Sequence, residues 1–137
     1  MSFVPFVESP MEVVRRMLQL AKVGEEDLVY DLGSGDGRTV IASCNEFGAQ
    51  AVGVELRADL VKRSKDEIKR LEITERGKIV QTDLFNFDLS DATVITLYLN
   101  TSTNTRLKPK LEKELRDGTR VVSHDFEITG WKPLVVS

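Results

Sequence analysis

The stretch 28–47 constrains this chain more than any other. An apolar run, Leu28-Val29-Tyr30, leads into Asp31-Leu32-Gly33-Ser34-Gly35-Asp36-Gly37-Arg38, and a helical pattern follows. A strand, a glycine-rich turn and a helix in succession form a loop of the nucleotide-cofactor type, at the carboxyl end of a strand in an α/β sheet. Gly33 and Gly35 allow the turn to tighten and a ligand to approach the backbone without meeting a side chain. A dinucleotide loop would read G-x-G-x-x-G, but its third glycine position holds Arg38. Asp31 and Asp36 flank the loop with charges that repel a pyrophosphate. A ligand without phosphate that carries an ammonium and a sulfonium, S-adenosylmethionine (SAM), suits an acidic glycine loop better.

The rest of the chain repeats the alternation. Ser9 as cap, Pro10 at the first helical position and Glu12 open a helix. Val13, Val14, Met17, Leu18 and Ala21 recur in it at helical spacing, and Gly24 is placed to end it. Strands are expected over 28–32, 51–55, 78–82, 92–99 and 119–123. Helices are expected over 39–47, 58–72 and 105–115, the last supported by Lys110 with Glu114 at i,i+4. Val61, Ser64, Ile68 and Leu71 form the inward face of the second of these. Strands alternating with helices predict an α/β, doubly wound, mostly parallel sheet of Rossmann-like form. At 137 residues the chain reads as one domain, with residues 1–24 as an N-terminal lid and helix and 25–137 as the core.

Composition narrows the classes. With 41% hydrophobic and 30% charged residues, neither disorder nor a membrane span is indicated. Cys44 is the single cysteine, which excludes an internal disulfide and fits a reducing cytoplasm. A net charge of −3 disfavours a large nucleic-acid footprint and suits basic protein partners. No His, Cys or carboxylate spacing suggests a metal site.

Three acidic residues stand at successive strand ends: Asp31, Glu55 and Asp83. Asp31 can meet the ligand's ammonium through water, Glu55 can accept both ribose hydroxyls, and Asp83 can accept from the adenine amino group while Leu84 packs on the ring. Taken singly, an Asp after a strand is a turn former or cap; the three together with the loop favour the cofactor. The expected cofactor residues are thus Asp31, Leu32, Gly33, Ser34, Gly35, Gly37, Glu55, Leu56, Asp83 and Leu84. Tyr98 and Asn100, after the fourth strand, are the catalytic candidates, with polar groups to orient an amine. His124 follows the fifth strand and reads as structural, and Cys44 as a small buried apolar residue.

These motifs resemble the class I SAM-dependent methyltransferases: 31–37 resembles their first motif, Val54-Glu55 their second, and Thr82-Asp83-Leu84 the adenine segment. Val4-Pro5-Phe6-Val7-Glu8-Ser9-Pro10, together with 13–18, 107–115, 121–128 and Gly130-Trp131, is similar to archaeal protein-lysine methyltransferases, relatives of the enzymes that methylate the ATP-synthase c-subunit. The resemblance implies methyl transfer to lysine side chains of proteins. A reactive sulfonium requires mainly alignment of the amine, which supplies roughly 7–11 kcal/mol. The lysine must also lose a proton, at about 4.6 kcal/mol for a pKa near 10.4 at pH 7. Desolvation beside a sulfonium lowers that cost, so no dedicated base is expected.

Pro5, Phe6 and Val7 are the candidate substrate contacts, in a segment that could exclude water or simply pack. Members of the superfamily continue past strand five into an antiparallel hairpin, which is expected to be missing before Ser137. An exposed strand-five edge would then invite a homodimer. The alternatives are methylation of RNA or a small molecule, SAM binding without turnover, and NAD-dependent chemistry. Leu97-Tyr98-Leu99-Asn100 lacks the Asn/Asp-Pro-Pro-aromatic tetrapeptide of nucleobase-amine methylators, and Asp36 with Arg38 disfavours NAD.

Overall fold

A computed structural model describes residues 11–99 and 101–124. Its elements, in order, are α1 (Met11–Leu20), β1 (Leu28–Leu32), α2 (Arg38–Asn45), β2 (Gln50–Glu55), α3 (Ala58–Arg70), β3 (Gly77–Gln81), a 3-10 turn (Leu84–Asn86), β4 (Val94–Leu97), α4 (Thr101–Glu114) and β5 (Arg120–Ser123). The strands form one parallel sheet in the order β3-β2-β1-β4-β5. The chain therefore reverses its direction of winding beside β1, and the crevice this opens at the carboxyl ends of β1 and β4 is where such sheets bind ligands.

Alternation along the strands sends side chains into two separate layers. Val29, Ala51, Ile79 and Val94 pack with Val14, Leu18, Val40, Val61 and Ile68 of α1, α2 and α3. Tyr30, Leu32, Val54, Ile95 and Leu97 pack on the opposite face with Leu107 and Leu111 of α4. Both faces are covered, which is why the central strands read as nearly continuous apolar runs.

The elements agree with the expected alternation, with three local differences. First, α1 is closed by Lys22 and not by Gly24. Lys22 takes a left-handed φ of 54°, its N–H reaches the Gln19 carbonyl at 3.0 Å, and the Val23 N–H reaches Leu18 at 3.1 Å. That paired pattern is a Schellman cap on a non-glycine residue. Glu72 closes α3 in the same way at φ 59°. The Gly24 N–H is instead held by Asp27 at 2.9 Å.

Second, α4 begins at Thr101, ahead of the expected 105. Its Thr- and Ser-rich first turn has neither apolar periodicity nor helix propensity, so burial of Asn104 and Leu107 decides the matter. Third, β4 is only Val94–Leu97, shorter than expected. Cys44 is buried as expected. The expected lid and helix cap (1–10), Asn100 and the expected loss of a C-terminal hairpin (125–137) lie outside the described residues. Among those residues β3 and β5 are the two edge strands, no helix is long and apolar enough to cross a membrane, and no three His, Cys, Asp or Glu side chains cluster as metal ligands would.

Candidate active site

The loop after β1 is held by its own amides. The N–H groups of Gly33 and Ser34 both donate to the Val54 carbonyl, at 2.8 and 3.0 Å. Gly35 donates to Glu55 Oε1 at 2.8 Å, Gly37 to the Ser34 carbonyl at 2.9 Å, and Arg38 to Asp36 Oδ1 at 3.3 Å. A phosphate-binding loop presents such amides to its ligand; here they are used within the protein. Two glycines permit this close seating. Gly37 (φ 85°) has no room for a Cβ, which would lie 2.8 Å from Ser64 Cβ of α3. A Cβ at Gly53 would lie 2.6 Å from both Cβ and Oγ of Ser34. The Ser34 side chain therefore faces β2 beneath the loop, and its buried hydroxyl has no hydrogen-bond partner.

The charge of the loop is smaller than its sequence suggests. Arg38 grips Asp36 through Nη2–Oδ2 at 2.7 Å and Nε–Oδ1 at 3.1 Å. Burial works against ionisation of Asp36, but these bonds and the guanidinium charge outweigh it and lower its pKa. Asp36 is thus a neutralised partner of Arg38, and the repulsion expected of it toward a pyrophosphate is largely cancelled. The inward bonding of the Gly33, Ser34, Gly35, Gly37 and Arg38 amides, which the sequence could not show, is a second reason against a phosphate ligand.

Asp31 is 6% exposed and accepts a hydrogen bond from Thr96 Oγ1 at 2.7 Å. Burial, with the like charges of Glu55 and Asp36, pushes its carboxyl up to about 7, against the opposing hydrogen bonds from Thr96 and Thr39. Glu55 lies across the loop at the end of β2. Its Oε1 accepts from Gly35, and its Oε2 accepts from the amides of Leu56 and Arg57, both at 3.0 Å. Three of the four acceptor positions of the carboxylate are filled, leaving one on Oε1. In this geometry the open position on Oε1 is available to a hydroxyl. Asp83 caps the 3-10 turn, its Oδ1 accepting from the Phe85 N–H at 2.9 Å. The cap and the ligand reading share one side chain, since Asp83 is exposed.

The apolar candidates divide. Leu32 is fully buried in the layer under α4, so only its backbone borders the loop. Leu56 stands 63% exposed beside Glu55, an outward position that costs an apolar side chain its burial. Leu84 is half-buried against the same layer as Phe85, over whose ring Arg106 sits at 4.7 Å.

Tyr98, just past β4, is half-buried and packs its ring on His124 at 4.8 Å. His124 donates its N–H to the Leu97 carbonyl at 3.0 Å. Pro5, Phe6, Val7 and Asn100 lie outside the described residues. Sequence reasoning missed Gly53, Thr96 and Asn104, the last fully buried with Nδ2 3.3 Å from Ser123 Oγ. A glycine inside a strand and a lone hydroxyl in an apolar strand were the available signals for the first two.

A doubly wound sheet with an acidic, inward-bonded glycine loop at its switch point defines a methyltransferase of class I. Residues 31–135 match the ANTKMT methyltransferase domain, and the chain belongs to that family. It is 51% identical over 131 residues to a protein-lysine N-methyltransferase of Saccharolobus islandicus, covering 95% of this chain and 81% of that protein. The lysine N-methyltransferase of the ATP synthase c-subunit from Xenopus laevis is 32% identical over 95% of this chain, which spans 57% of that protein's length. A crystal structure described as an RNA methyltransferase from Salinibacter ruber in complex with S-adenosyl-L-homocysteine superposes with a TM-score of 0.93. It is 48% identical, over 94% of this chain and 84% of that one.

Proposed function

We propose that this chain is a SAM-dependent methyltransferase acting on lysine side chains of proteins. The observation that carries the cofactor reading is the inward bonding of the loop amides, beside a buried carboxyl at Asp31. A site so built has a buried acid for a cation, and the amides of Gly33, Ser34, Gly35, Gly37 and Arg38 are bonded within the protein instead of facing a phosphate. When bound, SAM supplies a methyl group on a sulfonium, activated without further help. Asp31 holds the ligand's ammonium, and Glu55 takes a ribose hydroxyl on its open Oε1 position. Leu56 and Leu84 offer apolar surface to the adenine, and the second oxygen of Asp83 accepts from the adenine amine. Tyr98, with Asn100, orients the substrate amine, while Pro5, Phe6 and Val7 border the incoming lysine.

Lysine as the acceptor is supported by the family and by the names of the Saccharolobus and Xenopus relatives. RNA is the second reading, favoured by the description of the Salinibacter structure; the net charge of −3 speaks for protein. The single buried thiol suits a reducing cytoplasm, and the β5 edge suits pairing with a second copy.

Calorimetric titration with SAM and S-adenosylhomocysteine, followed by transfer of labelled methyl to a lysine-rich protein and to RNA, tests the proposal. Binding with label on protein lysine is expected. Label on RNA alone selects the second reading, and binding without transfer to either selects a SAM-binding module. A folded protein that binds neither compound refutes the cofactor assignment.

A further inference from the structure

Thr96 sits in β4 among Val94, Ile95 and Leu97, all fully buried as it is. A valine would fill the same volume and suit the strand better, so a hydroxyl there needs a partner. Register supplies one: Thr96 is paired with Asp31 across the β1–β4 ladder, and its Oγ1 donates to Asp31 Oδ1 at 2.7 Å. The second hydroxyl acting on this carboxyl is Thr39 of α2. Among the described residues the charges that act on it are acidic, Glu55 from β2 and Asp36 from the loop, and the nearby cation Arg38 is gripped by Asp36. Left alone among these, a buried carboxyl holds its proton and presents no charge to a cation.

We propose that Thr96 is a positioning residue of the cofactor site, fixing Asp31 through Oδ1 and favouring the charged carboxylate that the ligand's ammonium requires. The proposal rests on the SAM reading given above. Its consequence is that ligand binding expels a proton: Asp31 gives it to solvent as the ammonium arrives, and affinity climbs with pH through the Asp31 midpoint, up to the pH at which the ligand's own amino group loses its charge. The position of Asp31 at about 7 places the climb across neutrality.

The test is calorimetry with S-adenosylhomocysteine from pH 5.5 to 9, in two buffers of different ionisation enthalpy, on the wild type, Thr96→Val and Thr96→Ser. A one-unit rise in the Asp31 midpoint on losing the hydroxyl makes Thr96→Val about fivefold weaker at pH 7 and nearly equal to wild type at pH 9. Thr96→Ser, which keeps the donor, is expected to restore the wild-type profile. In the wild type, proton release is expected near pH 7 and gives way to uptake at pH 9, where the ligand's own amino group must regain its proton; that ligand contribution is the same for all three proteins and cancels in their affinity ratios. Carbon-13 titration of the Asp31 carboxyl in the ligand-free proteins gives the same midpoint without any ligand, and also serves if Thr96→Val binds poorly. Parallel pH profiles, or equal Asp31 midpoints in wild type and Thr96→Val, overturn the role of Thr96 while leaving the SAM reading intact. No binding at any pH by a folded wild type overturns the SAM reading itself.

Discussion

At the scale of single residues, the loop holds side chains that do not serve the fold. Asp31 is the clearest. Its folded-state pKa of about 7 lies above the unfolded value of 3.8, so the native state binds the proton more tightly. The sign follows: its contribution to stability is fully present below about pH 4 and is lost as pH rises through 7. Ionising it in place costs on the order of a few kcal/mol. Asp31→Asn, which retains an acceptor for Thr96, is therefore expected to raise the melting temperature, by more at pH 8 than at pH 5, while removing SAM affinity. Thermal melts at the two pH values check this, and an equal shift at both would contradict it. Ser34 makes a milder case. Its hydroxyl is buried without a partner against Gly53. Ser34→Ala should leave stability unchanged or raise it by up to about 1 kcal/mol in urea unfolding, with cofactor affinity intact.

At the scale of elements, the ends of helices and strands carry strain and its compensation. Lys22 and Glu72 adopt left-handed backbone in Schellman caps whose flanking residues, Val23 and Ile73, are buried. Glycine fits that conformation without a Cβ penalty but loses more chain entropy on folding. The balance predicts that Lys22→Gly and Glu72→Gly each stabilise by about 0.5–1 kcal/mol, measured as a raised urea midpoint at constant m-value.

The opposite end of the sheet from the site is held by Asp27. It accepts from the Gly24 N–H at 2.9 Å, from Thr93 Oγ1 at 2.8 Å and from Arg120. Arg120 in turn donates to the Ala21 carbonyl at 2.8 Å, tying α1, β1, β4 and β5 together. Burial opposes ionisation of Asp27, but the bonds from Thr93 and Gly24 and the Arg120 charge lower its pKa. A depressed acid stabilises above its unfolded pKa, and that stabilisation is lost as pH falls through the folded value. Arg120→Leu should cost about 2 kcal/mol at pH 7 and distinctly less near pH 3. An equal cost at both would mean that packing, and not charge, is what Arg120 supplies.

For the whole molecule, one parallel sheet places β5 at one edge of the described structure. If that edge pairs with a second copy, sedimentation should show a mass that rises with concentration; a constant monomer mass rules the pairing out. The alternation of elements, the bounds of β1, and the placing of a glycine loop and three acidic residues at strand ends were all legible in the sequence. These are local matters, set by apolar periodicity and by what glycine alone permits within a few residues. Lys110 beside Glu114 was legible for the same reason, and the structure holds that pair at 2.6 Å. Sequence could not place Thr96 beside Asp31, seat Ser34 on Gly53, or set His124 against Tyr98, because each pair is separated along the chain and meets only through strand register or through packing across the sheet. Nor could it foresee that Arg38 cancels Asp36 or that the amides of Leu56 and Arg57 occupy Glu55. Residue types fix which charges a loop can carry. Which of those charges end up buried, paired or left for a ligand is settled by the fold, since it depends on the groups that folding brings within hydrogen-bond distance.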